Sequence, residues 1–287
     1  MGTSQSSGGP PSGVPMVPPW VPDPPPATPP ADSDVLSTDG DAASDSAQPD
    51  ASPAPLPTLA PIAPQGRFTA ARRSFSKFAH TGDDWAMRRG LGQYVRNGYG
   101  GSGTAVRRFG GTASTAGALY GALSAVASGQ AAGPGSPLDP ALLAGRSAQE
   151  VIDAVVEAVR PIDGTQDAET GRAAIRDALS ELLTRYPDAA LISLTEEQRA
   201  FAIERYVAID VFRRFDLDLG KTIRDKALSA VIGLSRMREV KDYVKETVAA
   251  AFRRLRDAGR IITAGRVSAV VRAALSDTLQ VFEGYAT

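Results

Sequence analysis

From Phe68 onward, apolar residues recur every three or four positions, and each run closes on a glycine or a proline. That period lays one apolar stripe along a helix rather than alternating faces along a strand. Phe68, Ala71, Phe75 and Phe78 form the first stripe, with Arg67, Arg72, Arg73 and Lys77 largely on the other side. The turn Thr81-Gly82-Asp83-Asp84 supplies a cap for a second helix through Trp85, Leu91, Tyr94 and Val95. This helix is expected to fray at Gly98-Tyr99-Gly100-Gly101. Residues 110–138 then carry no charged side chain. The run exceeds the roughly 20 residues a membrane span needs. Its Ser, Thr, Gly and Gln content and few large aliphatics favour a buried core helix instead. Ala113, Gly117 and Gly121 share one face there, a pattern that lets a neighbouring helix approach closely. Gly133-Pro134-Gly135 breaks the chain.

The second half carries explicit start and stop signals. Ser147 and Glu150 form a capping box before Val151, Ile152, Val155, Val156 and Val159, a helix ended by Pro161 and Gly164. Ile175, Leu179, Leu182, Leu183 and Tyr186 mark the next, stopped at Pro187. Thr195 and Gln198 form a second box before Ile203, Tyr206, Val207, Val211 and Phe215. A further helix is predicted near 221–236, presenting Ile223, Leu228, Val231 and Ile232. A stripe from Val240 to Leu255 ends at Gly259, and another runs from Val267 to Phe282. No stretch shows period-two alternation between turn signals. The expected fold of residues 66–287 is all-α, a multi-helix bundle, with a candidate subdivision near 131–146.

Residues 1–65 follow different rules. They hold 17 of the 22 prolines and seven aspartates, with no Lys or Arg. Low hydrophobicity with charge of one sign buries too little apolar surface to offset the entropy of ordering. A long disordered Pro/Gly/Ser/Asp-rich tail is therefore expected, spanning roughly 40–50 Å end to end as a flexible coil. Its tip, residues 1–20, is uncharged and ends on Met16, Val17 and Trp20. It lacks the basic and apolar regions of a secretory signal, so a cytoplasmic location is expected.

Charge sharpens the division. The net charge of −1 is −7 in the tail and +6 in the remainder, and residues 66–108 hold nine Lys or Arg against Asp83 and Asp84 alone. The basic set is Arg67, Arg72, Arg73, Lys77, Arg88, Arg89, Arg96, Arg107 and Arg108, with Tyr94 and Tyr99 interleaved. It suits a solvated helix face, an acidic partner or nucleic acid, although no recognised nucleic-acid module accompanies it. The absence of cysteine excludes disulfides, thiolate catalysis and thiolate zinc sites. His80, the one histidine, has no triad motif around it and reads as a helix-end residue. No converging ligand set suggests a metal, and no pattern requires a cofactor.

Two phosphate-loop lookalikes fail on context. Residues 98–103 match G-x-G-x-x-G, but no strand precedes them. Gly220-Lys221-Thr222 ends like a P-loop, but Phe215 stands where the first glycine is required. Asp216, Asp218 and Asp225 lie among Arg213, Arg214, Lys221 and Arg224, which suits surface ion pairs better than acid–base chemistry. At the other end of the chain, removal of Met1 exposes the α-amine of Gly2. An unperturbed α-amine titrates at about pH 8, so part of it is neutral and nucleophilic near neutrality. Gly2 with Ser6 also fits the short acylation pattern M-G-x-x-x-[ST].

The opening MGTSQSSGGPPSGVPMVPPW resembles the N-terminus of the QatB family, a component of the bacterial Qat anti-phage operon. RFTAARRSFSKFA at 67–79 and LGQYVRNGYGGSGTAVRRFGGTASTAGALYGAL at 91–123 carry the same resemblance. Such proteins are encoded with an ATPase (QatA-type), a QueC-like enzyme (QatC-type) and a TatD-like nuclease. The resemblance implies a non-enzymatic subunit serving those partners, and the sharper expectation built on it is that Gly2 is presented to the QueC-like partner for attachment of a deazaguanine-type group. Thr3, Ser4 and the Gly9-Pro10 stretch would enter that partner's channel, with Val17 and Trp20 docking outside. The helical body would bind the ATPase. The competing reading is a nucleic-acid-binding adaptor that uses the 67–108 segment to deliver the nuclease.

Overall fold

Thr69–Thr81 forms α1, which buries Ala71, Phe75, Phe78 and Ala79 and ends at Gly82 in the left-handed conformation. The computed structural model describes residues 66–129, 135 and 137–286, and expectations for the tail, Gly2 to Trp20 among them, lie outside the described residues. Helix α2 (Asp84–Gln93) starts as its sequence requires, with the Asp83 carboxylate accepting from the Trp85 amide. It runs into a π-helical turn, Tyr94–Gly98, before the chain breaks at Tyr99–Gly101. Gly98 lies under the Phe68 ring, leaving no room for a Cβ. The expected fraying point is thus a packed, widened turn.

Helices α3 (Ser102–Arg108) and α4 (Gly110–Ala127) follow, then a short α5 (Pro140–Leu143), α6 (Ala148–Val159) and α7 (Gln166–Arg185). The α6 capping box forms as its sequence predicts, and so does the one that starts α8 (Glu196–Phe215). A second π-helical turn, Asp216–Gly220, leads into α9 (Lys221–Lys226), followed by α10 (Ala230–Asp257) and α11 (Val267–Glu283). There is no strand among the described residues, and the fold is all-α.

Helix α8 is the centre of the packing. Every residue from Tyr206 to Val211 is buried, including Asp210, so this segment is wrapped on all sides. Helix α7 covers one flank, α10 another and α4 a third, while α11 closes over α4 and α10. Helix α1 packs on α2 and α9. The uncharged α4 is a core helix, and no helix among the described residues is long and apolar enough to cross a membrane.

Three sequence expectations change. The helix predicted over 221–236 is two helices: Ala227 turns extended, and Ser229 caps α10 by accepting from the Ile232 amide. Its expected apolar face also splits, because Ile223 is buried while Leu228 and Val231 point to solvent. On α4, Ala113 and Gly117 meet α11 closely: Ser268 Oγ donates to the Ala113 carbonyl at 3.1 Å, and a Cβ on Gly117 would crowd that hydroxyl. Gly121 is exposed with open space around it, and takes no part in that approach.

Candidate functional site

The basic residues of the first three helices do not form one uniform patch. Arg72, Arg73, Arg89 and Arg96 are exposed and have no ion pair among the described residues. Lys77 binds Asp83 at 2.7 Å, and Arg88 binds Asp84 at 2.8 Å while lying over the Tyr243 and Tyr285 rings. Arg107 donates to Thr104 Oγ1. Arg67 and Arg108 converge from opposite ends of the segment onto the Tyr99 ring, 5.7 and 5.8 Å from its centre. The cations nearest the aromatics are thus engaged, and those left free sit on α1, α2 and the turn after it.

The interleaved tyrosines are also occupied. Tyr94 is buried, stacked on Phe68 and edge-on to Phe215. Its hydroxyl donates to Asp218 Oδ2 at 2.9 Å, and Tyr99 donates to the same oxygen at 3.0 Å. Asp218 is therefore no surface ion pair, unlike Asp216, which binds Arg224, and Asp225, which binds Lys221. The carboxylate joins the two π-helical turns. Neither ring is free to stack on a base, which removes the aromatic half of a nucleic-acid platform.

Burial, followed by the Asp218 charge, pushes the Tyr99 hydroxyl up to about 12, and burial raises Tyr94 well above the ordinary range. Both phenols stay protonated in the fold at a pH where the unfolded chain ionises, near 10. The Tyr99 contribution is complete below pH 10 and is lost as pH rises from there through about 12, and that of Tyr94 is lost in the same direction. Melting temperatures across that window should fall steeply for the parent chain and less for Tyr99→Phe. An equal fall in both would show that this pair does not govern alkaline stability.

A second polar cluster lies on α8. Asp210, 1 % exposed, accepts from Thr112 Oγ1 at 2.5 Å and from Arg214 Nε at 3.2 Å. Arg214 also binds Asp167 at 2.9 Å, with Arg160 on the far side of that carboxylate at 3.7 Å. Burial works against the Arg214 charge, yet Asp210 and Asp167 hold its pKa above the usual guanidinium value. The void among these groups is about 10 Å³, too small for a substrate. The cluster is a structural ion-pair chain that fixes α4, α7 and α8 in register.

An apolar cleft of about 400 Å³ lies between α8 and the end of α10. Tyr186 and Phe201 meet edge to face at 5.6 Å in its wall, which Phe252 and Ile262 also line. Glu204 lines it, its carboxyl raised in pKa by burial, and Arg256 is also part of the lining. This is the chemistry of a binding cleft, with aromatic walls and the carboxylates of Glu196, Glu197 and Glu204 beside Arg256 and Arg260. Most of the lining residues are legible as apolar or polar helix positions, but nothing local joins Tyr186 to Ile262.

The remaining feature is convex. Leu228, Val231 and Leu234 are 64 %, 77 % and 65 % exposed at the start of α10, whose inner face is filled by Met237, Val240 and Val244. No group of three or more His, Cys, Asp or Glu among the described residues is placed to hold a metal.

The family model described as "QatB: Qat anti-phage system associated protein QatB" matches residues 100–282, from the break before α3 to the last turn of α11. No curated protein and no solved structure matches the chain. The family match covers more than half of the 287 residues and takes in the central helix, the cleft and the exposed strip, and on that match the chain belongs to the QatB family of the Qat anti-phage system.

Proposed function

We propose that this chain is a non-enzymatic, cytoplasmic subunit of the anti-phage complex, with its N-terminal amine as a substrate and its helical body as a holder. The observation that carries the reading is the family match on the body, joined to a tail whose first twenty residues are uncharged, small and proline-rich. Once Met1 is removed, the Gly2 amine is the nucleophile. A QueC-like partner would activate a deazapurine carboxylate with ATP, releasing pyrophosphate. The neutral amine would attack the acyl-adenylate, forming an amide and expelling AMP, with the ammonium proton passing to solvent. Thr3, Ser4, Gly9 and Pro10 are short enough to thread a narrow channel, and Val17 and Trp20 supply apolar anchors outside it. The body would bind the ATPase, with the TatD-like nuclease as a further partner.

Peptide mass spectrometry tests this on the chain expressed alone and with its operon neighbours. The expected result is an added mass on Gly2 only when the QueC-like partner is present and active. An unmodified Gly2 in both preparations would end the reading. The second reading, a nucleic-acid adaptor, draws on the unpaired Arg72, Arg73, Arg89 and Arg96. It requires DNA binding with a steep salt dependence that charge reversal at Arg72, Arg73, Arg107 and Arg108 abolishes.

A further inference from the structure

We propose that Leu228, Val231 and Leu234 form the anchor by which the helical body takes a protein partner, and that the partner presents an acidic amphipathic helix. Val231 and Leu234 are three apart on α10, and Ser235 and Arg238 continue the same face. Leu228 precedes the capping Ser229 and extends the strip beyond the helix start. These side chains do nothing for the core, since Gly233, Met237 and Val240 fill the inner face of the same turns. Three adjacent aliphatics held in water on rigid backbone are what an interface anchor requires.

The surrounding charge selects the occupant. Residues 221–238 carry five cations, Lys221, Arg224, Lys226, Arg236 and Arg238, against Asp225 alone. Lys221 is paired with Asp225, Arg224 with Asp216 and Arg236 with Glu239. Lys226 and Arg238, which bracket the strip, have no ion pair among the described residues. A second copy of this chain is a poor fit, because two-fold pairing across Val231 and Leu234 would bring Arg238 of one copy toward Lys226 of the other. A lipid surface is also a poor fit: the strip is under two turns long and has none of the Trp or Phe that seats an interfacial helix. A partner helix with aliphatic residues at three- and four-residue spacing, flanked by Asp or Glu, covers the strip and neutralises both cations.

This assignment rests on the reading that the body holds the ATPase, and the experiment separates the two. Full-length chain and purified ATPase are mixed, and affinity is measured at several salt concentrations beside sedimentation of each alone. Leu228→Ser/Val231→Ser/Leu234→Ser should melt like the parent and bind at least tenfold more weakly. Lys226→Glu/Arg238→Glu should also bind more weakly, with a shallower salt dependence. Parent-like affinity in both variants overturns the strip assignment and leaves the ATPase on another surface. No complex with the parent chain overturns the holding function and the strip together. A parent dimer that the triple variant dissolves, or binding to phosphatidylserine vesicles that it abolishes while ATPase affinity stays unchanged, overturns the proposal in favour of a second copy or a lipid.

Discussion

Asp210→Ala should lower the stability of the helical body by about 3–5 kcal/mol, the cost of breaking a buried ion pair from one side. Asp210 sits in the fully wrapped stretch of α8 and accepts from both Thr112 and Arg214. Removing it leaves a buried hydroxyl without its acceptor and a guanidinium whose other partner, Asp167, is more than half exposed. For a body of this size the melting temperature should fall by roughly 6–20 °C. Thr112→Val/Asp210→Leu/Arg214→Met removes every member of the contact and should cost far less, because no orphaned polar group remains. Thermal unfolding of both variants decides the matter. Equal losses would mean that packing, not charge, governs the site.

Phe215→Ala should cost a similar amount, about 3–5 kcal/mol, by opening a cavity where three segments meet. The ring is 5.0 Å from Phe75 of α1, 5.6 Å from Tyr94 of the first π-helical turn and 6.3 Å from Phe212 of its own helix. The loss should appear in a denaturant midpoint, with Phe215→Leu recovering more than half of it. If alanine and leucine cost the same, the aromatic edges contribute more than the filled volume.

How much of this was legible depends on the distance over which each feature is specified. The caps at Asp83, Ser147 and Thr195 need only a side chain and an amide two or three residues on, so the residues announce them directly. The stripe of α11 was equally plain, since all its buried residues follow one period. The break between α9 and α10 was missed because Ile223, Leu228, Val231 and Ile232 keep an approximate helical spacing across it. Ser229, three residues before Ile232, is the cap signal that marks the break. The tyrosine pair on Asp218 could not be read locally at all, because its partners are 124 and 119 residues apart in sequence. The same holds for the cleft, whose walls come from the residue after α7, the first half of α8, the end of α10 and the chain after it. The family could be read from the opening twenty residues and two later blocks, while the family match itself lies on the body.

The seam closed by α11 has a consequence for how the protein is made. Glu283 accepts from the Ser102 amide at 3.0 Å, 181 residues earlier, Ser268 reaches back to Ala113, and Gly92 packs directly on the backbone of Tyr285 and Ala286. Helices α2, α3 and α4 leave the ribosome early, yet the α11 surface that completes their cover is synthesised well after them. Until Val267–Glu283 has emerged, the uncharged α4 lacks the cover of α11, although α6 and α8 can already pack on its other flanks. A nascent chain stalled in the α10–α11 connection would be a substrate for chaperones and proteases. The cell would thus sense an interrupted subunit by the uncovered α11-facing side of α4 before any partner had bound it.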